Sequence, residues 1–451
     1  MTRTERSALV GGTRAGYRPR SMAPFATRAF AAAALAALLA VAAQAAAAPG
    51  ARPLGRSSCG PIENPSGRHL IASDLPLQGA ARAQTLEMSK AIAFVLQQHE
   101  WRAGRYTLAY QSCDDSTAAA EMWDARKCAG NARAYVRNRD VIGVIGTFNS
   151  GCAEVALPIL NQARDGAIAM VSPANTSIGL THRGPATEPD EPRRYYPTGK
   201  RNYARVIAPD DAQAAADAIL ARQLGVKTVF VLHDGGAYGI GVATAFRNAG
   251  ARLGLTLAGF EAWDPSEPSY DSLARRIKAA RVQGVFLGGL VCANGSKLVK
   301  DLRVRLGTNV RIIAADGFTP ISALTAGAGN AAEGVMVSVA GRPNDKLPPA
   351  GRKFVTAFTK ATGGKAPDPF SVHAAQATEA LVAAIAASDG TRGDVAARLL
   401  GVKIRNGILG TFGFDRNGDA TASAVTIYRI RDGKGWQETV IVPPAALIRT
   451  G

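Results

Sequence analysis

Residues 141–176 read VIGVIGTFNSGCAEVALPILNQARDGAIAMVSPANT, two short apolar runs on either side of a helical segment. Val141, Ile142, Val144 and Ile145 form a run rich in β-branched residues that stops at Gly146, the pattern of a strand buried on both faces. Residues 153–163 read as a helix, and residues 167–171 form a second apolar run that ends at Ser172 and Pro173. A strand, a helix and a strand, with strands too apolar to face water, constrain the chain to a parallel sheet covered by helices. In such a sheet, ligands lie beyond the carboxyl ends of the strands, where loops expose N–H groups and the next helix presents its positive end. Both loops here carry hydroxyls, Ser150 in one and Ser172 and Thr176 in the other. Together they suit a carboxylate, because they supply several donors without a buried cation. Helix capping is the other reading of each residue taken singly.

The same alternation extends in both directions. Strands are predicted at 69–73 and 106–110, with a loop at 74–79 and a helix running to about residue 98. A second series follows the proline-rich surface loop at 187–200: strands at 229–232, 256–260, 284–287, 311–314 and 335–339, separated by helices. Helices near 350–362 and 369–388 should return to the first series, and a terminal strand at 424–430 belongs to the second. The expected fold is α/β, with two Rossmann-like lobes whose sheets are parallel and doubly wound. Residues 68–206 and 341–408 would form the first lobe, and 207–340 and 409–451 the second. Three crossings, near 203–207, 341–344 and 411–419, would make a hinge of parallel linkers that permits closure.

At 451 residues the chain is long enough for two or three domains. Residues 1–28 contain six Arg and one Glu, and 29–48 is an Ala/Leu/Val run interrupted by Phe30 and Gln44. A basic start, an apolar core and small residues at its end predict a secretory signal over 1–48, cleaved between about Ala45 and Arg52, with an uncleaved anchor as the alternative. Residues 49–67, rich in Pro, Gly, Ser and Arg, read as a flexible leader. Cys59 stands well past the apolar run and is not placed as a lipid acceptor. Five cysteines fit an oxidising compartment, with one left over.

Several functions are argued against by the residues. The net charge of +18 falls to about +13 without the first 28 residues, and the basic side chains are scattered with no interleaved aromatics, so nucleic acid is not expected as a partner. There is no Cys/His spacing suited to a metal. Gly235-Gly236-Ala237-Tyr238-Gly239 follows a strand and opens a helix, yet it does not meet the G-x-G-x-x-G spacing, so no cofactor is expected. Ser150 lacks the G-x-S-x-G setting of a nucleophile. Asp316 stands largely alone after an apolar strand, and a single buried carboxylate suits an ammonium better than acid–base work. A helix cap is its alternative role.

SDLPLQG, VIGTFNSGCAEVALPIL, AMVSPANT, HDGGAYGIG, AADGF, AAEGVMVSV and GTFGFDRNGD occur in this order between about residues 70 and 418. In this the chain resembles the branched-chain amino-acid binding proteins of ABC importers, which have the type I periplasmic-binding-protein fold. The resemblance implies an exported, monomeric, non-enzymatic protein that closes on an amino acid, with an apolar side chain, and delivers it to a permease. It implies that Ser150, Asn175 and Thr176 hold the carboxylate and share in the ammonium, and that Asp316 and Tyr238 complete the ammonium site. Leu77, Phe148 and Phe318 would line the side-chain pocket. The family more often has Glu at the position of Asp316, and Ala or Gly at that of Asn175, which leaves the ligand's identity open. Members also run from the second strand into its helix with fewer residues than CDDSTAAAEMWDARKC, which implies a Cys113–Cys128 bridge across the extra loop, with Cys113–Cys152 as the competitor. The alternatives are the same fold holding another small polar compound (an amide, urea or an aromatic acid), a ligand sensor, or an enzyme on an α/β scaffold.

Overall fold

A computed structural model of the chain describes residue 16, residues 50–184 and residues 186–448. The predicted signal segment over 1–48 lies outside the described residues apart from Gly16.

The apolar runs become strands of two sheets. The first contains β1 (Cys59–Glu63), β2 (His69–Leu75), β3 (Tyr106–Asp114), β4 (Val141–Gly146), β5 (Ala169–Ser172) and β6 (Tyr203–Arg205), in the spatial order β1-β3-β2-β4-β5-β6. All are parallel except β1, which runs antiparallel to β3. The second contains β7 (Thr228–His233), β8 (Thr256–Ala262), β9 (Gly284–Gly288), β10 (Arg311–Ala314), β11 (Met336–Ala340), β12 (Val425–Arg431) and β13 (Lys434–Ile441), in the order β8-β7-β9-β10-β11-β12-β13. It is parallel as far as β11 and antiparallel beyond. Counting parallel strands alone, each sheet has the order 2-1-3-4-5, so each has a switch point between its first and third strands.

Helices cover both faces, as strands buried on both sides demand. In the first lobe these include α1 (Arg82–Gln98), α2 (Ala125–Arg137) and α3 (Ser150–Asn161); in the second, α4 (Asp210–Gln223) and α5 (Ala237–Arg252). The chain then returns to the first lobe with α6 (Pro349–Ala361) and α7 (Pro369–Ala386). Phe370, Leu381 and Ile385 of α7 share one buried cluster with Ile71, Met88 and Ile145, so the first lobe's core is completed by residues far along the sequence. The passages between the sheets lie side by side: the Arg205 N–H donates to the Gly418 carbonyl at 2.9 Å, and the Gly341 N–H to that of Ala424 at 2.7 Å.

Three expectations are corrected. Residues 50–67 are not a flexible leader: the Ala51 N–H donates to the Gly67 carbonyl at 2.6 Å, the Leu54 N–H to Gln111 Oε1 at 2.7 Å, and β1 covers the edge of β3. Cys113 bonds neither Cys128 nor Cys152. The antiparallel register sets Cys59 opposite Cys113, and those two are joined, while Cys128 in the first turn of α2 joins Cys152 in the first turn of α3. The second sheet also gains β13, whose half-exposed KGWQETVI lacks the apolar run that marks the other strands.

Candidate ligand-binding cleft

A cleft of about 370 Å³ opens between the carboxyl ends of the two sheets. Its walls come from the residues after β4 (Phe148 to Gly151), β5 (Ala174, Thr176), β7 (Asp234 and Gly236 to Gly239), β9 (Leu290, Cys292, Ala293) and β10 (Asp316, Gly317). The two switch points therefore face one another, the position at which an open α/β sheet receives a ligand.

On the first-lobe side the cleft meets the N-terminus of α3, which begins at Ser150 after Asn149 in an extended conformation. Unpaired N–H groups and the helix dipole make this turn attractive to an anion. The Ser150 hydroxyl accepts the Ser177 N–H at 3.2 Å. The adjoining loop is fixed from behind. Ser172 Oγ donates to the Thr147 carbonyl at 3.0 Å and accepts the Asn175 N–H at 2.8 Å, while Asn175 Nδ2 donates to the carbonyls of Thr147 at 2.9 Å and Phe148 at 3.0 Å. The carbonyls flanking Thr176, those of Asn175 and Ser177, accept from the fully buried Arg205 at 3.2 and 2.7 Å. Arg205 in turn donates to Asp419 at 2.6 Å, a residue of the third passage between the lobes. Ion pairing with Arg205 and His182 overcomes burial and holds Asp419 far below the usual carboxylate range. No Lys, Arg or His lines the cleft among the described residues.

On the second-lobe side the Tyr238 hydroxyl donates to Asp316 Oδ1 at 2.5 Å and accepts the Gly317 N–H at 3.0 Å. Gly317 is required there, since a Cβ would lie 2.2 Å from the Gly289 carbonyl oxygen and 2.7 Å from the Tyr238 ring. Burial pushes the Asp316 carboxyl up to about 6, with the bond from Tyr238 pulling the other way. Behind it lie Asp210, both of whose oxygens lack partners, and Asp217, which accepts from Ser338 at 3.0 Å. Burial, with the neighbouring charge of Asp316, pushes both carboxyls well above their usual range. Two carboxylates therefore face the cleft, Asp316, which Tyr238 aligns, and Asp234, which is engaged by backbone N–H groups. Asp234 ties the second switch point together, accepting the N–H of Gly236 at 3.0 Å and of Leu290 at 2.9 Å.

Of the residues singled out from the sequence, Ser150, Thr176, Tyr238, Asp316 and Phe148 line this one cleft. Leu77, Asn175 and Phe318 do not. Asn175 is fully buried behind its loop with its amide spent on backbone carbonyls, Phe318 lies in the second-lobe core beside Trp263, and Leu77 packs on the first-lobe core. Sequence reasoning missed Met122, Trp123, Leu290 and Phe370, all of which line it. The only signal for the first two was the extra length between Cys113 and Cys128; Phe370 lies far along the sequence from the other first-lobe walls, which end at Thr176. Cys292, the free cysteine among the described residues, also lines the cleft. Away from the cleft, the one grouping of potential metal ligands among the described residues, buried Asp115 with Cys128 and Cys152, offers no thiolate because its sulfurs are joined.

A family model described as periplasmic binding protein matches residues 75–435. An amino acid binding protein of Pseudomonas aeruginosa is 25% identical over 316 residues, covering 70% of this chain and 78% of its own. A crystal structure of a leucine binding protein of Thermotoga maritima superposes with a TM-score of 0.71 at 22% identity, covering 83% of this chain and 99% of its own. A solute binding protein of an ABC transporter from R. palustris, in complex with benzoate, superposes with a TM-score of 0.67 at 16% identity, covering 84% and 97%. At these identities the two crystal structures speak for the fold.

Proposed function

Since this chain belongs to the periplasmic binding protein family, whose members bind solutes rather than transform them, we propose that it is the extracytoplasmic receptor of an ABC importer and that its ligand is an amino acid. One observation carries this reading: the two ends of the cleft have opposite electrostatic character and no basic side chain intervenes. The first turn of α3, with Ser150 and Thr176, offers hydrogen-bond donors to a carboxylate. Asp316, oriented by Tyr238, offers a full negative charge suited to an ammonium, while the neighbouring Asp234 is engaged by the N–H groups of Gly236 and Leu290. A zwitterion with both charges on one carbon satisfies both ends when the lobes close. The apolar walls between them receive the side chain. The name of the Pseudomonas relative supports the same ligand class. Export is supported by the family and by the two disulfides.

The test is a thermal-shift screen of the protein against amino acids and against carboxylic acids that lack the amine. A ligand at a hundred times its dissociation constant adds about 2.7 kcal/mol, and it should be recovered unchanged. Asp316→Asn leaves a desolvated ammonium without its countercharge, which costs about 2–5 kcal/mol, so calorimetry should show affinity for the best amino acid falling at least about thirtyfold. If Asp316→Asn binds like the parent, or amine-free acids bind as tightly as amino acids, the ligand is a simple anion, with an aromatic acid first to try.

A further inference from the structure

Residues 115–124 form a small hairpin that belongs to neither sheet. Its strands Ser116–Thr117 and Met122–Trp123 pair antiparallel, with Ser116 opposite Trp123. Both feet are fastened: Cys113 is joined to Cys59, Cys128 to Cys152, and the Asp124 N–H donates to the Asp115 carbonyl at 2.9 Å. Asp114 binds the base, accepting from the N–H groups of Leu77 and Ser116, both at 2.9 Å, and from Lys127 Nζ at 3.1 Å. The hairpin is thus a fixed wall, and the side chains it points into the cleft are held before any ligand arrives.

Those side chains are Met122 and Trp123, both half-buried and both lining the cleft. The indole rests on Gly151, the second residue of α3: a Cβ at that position would lie 2.5 Å from Trp123 Cζ2. Trp123 therefore stands beside the turn that meets the carboxylate, where the ligand's side chain must leave its α-carbon. Phe148 and Phe370 continue the wall, their rings 5.3 Å apart and steeply inclined at 61°. Three aromatic rings and a thioether gathered on one side of an apolar cavity do more than repel water. Rings gain from edge and face contacts with other rings, and sulfur gains from ring edges, beyond what burial alone supplies; an aliphatic chain gains only the burial.

Resting on the amino-acid reading of the cleft, we infer that this hairpin decides which amino acid is bound, with Trp123 selecting an aromatic side chain over a branched aliphatic one. Calorimetry with phenylalanine, leucine and phenylacetate, on the parent, Trp123→Ala, Trp123→Phe and Gly151→Ala, tests it, with the ligand-free unfolding midpoint of each variant as the control for folding. Phenylalanine should bind the parent at least about tenfold more tightly than leucine. Trp123→Ala should lower phenylalanine affinity about tenfold and leucine affinity by less than about threefold, while Trp123→Phe retains most of the preference. Gly151→Ala, whose new methyl displaces the indole, should weaken phenylalanine in the same direction, so the inference stays testable if Trp123→Ala fails to fold. Leucine binding as tightly as phenylalanine, or a preference untouched by Trp123→Ala and Gly151→Ala, overturns the inference and leaves the amino-acid reading standing. Phenylacetate binding as tightly as phenylalanine overturns the amino-acid reading instead. The hairpin is then judged by phenylacetate against 4-methylpentanoate in the same variants.

Discussion

Asp316 shows how burial sets the chemistry of a single residue. Its carboxyl, pushed up to about 6 by desolvation, is charged at pH 7 and half protonated one unit lower. An ammonium ligand binds the ionised form, so apparent affinity is multiplied by the ionised fraction. Binding measured by calorimetry should be level above about pH 7 and should fall toward tenfold per unit below about pH 6, with proton release on binding in that range. Asp316→Asn should abolish this slope. The sign reverses for the empty protein: a carboxyl with a raised folded pKa favours the folded state in acid and costs stability as pH rises through about 6. The acid at this strand end was legible in the sequence, because an isolated Asp after an apolar strand has few other uses. Asn175 was misread for the opposite reason. Its position beside Thr176 was right, but which way an amide points depends on carbonyls of Thr147 and Phe148 that only the folded loop brings near.

Among the elements, the parallel strands were legible because a strand buried on both faces must be continuously apolar, as β4 is along its whole length. Edge elements carry no such mark. β1 hid in a segment rich in Pro, Gly and Ser, and β13 in a half-exposed one. The disulfides followed from β1: without that strand Cys59 had no place, and Cys113 was assigned to the wrong partner. The Cys128–Cys152 bond ties α2 to the turn of α3 that meets the cleft, closing a loop with a sequence separation of 24. On the chain-entropy model, removing it costs about 3 kcal/mol. The double variant Cys128→Ser/Cys152→Ser should lose about that much in urea denaturation. Non-reducing peptide maps of the parent should recover Cys59 with Cys113 and Cys128 with Cys152.

For the molecule as a whole, the joint between lobes is a cluster of charges. His182, in the loop after β5, meets Asp211 of α4 at 3.2 Å and Asp419 at 2.9 Å, while Arg205 binds the other oxygen of Asp419. Burial lowers the His182 pKa, but the two carboxylates outweigh it and raise it to about 9. A raised folded pKa gives stability that is complete below the unfolded value of about 6.5 and is lost as pH rises through about 9. Denaturation at pH 7 and pH 10 should show the parent losing more stability than His182→Gln. Because Arg205 also holds the carbonyls on either side of Thr176, the joint and the first-lobe wall of the cleft are one bonded unit.

The route of the chain through its two lobes also dictates an order of assembly. Residues 59–152 contain both disulfides and four of the first lobe's six main strands, yet α7, which fills that lobe's core, begins at Pro369, after β7 to β11 of the second sheet. A chain that emerges from its amino end must therefore keep a half-built lobe in register while the next one passes. The two sulfur bonds, both formed within the part that arrives first, are the staples that let it wait.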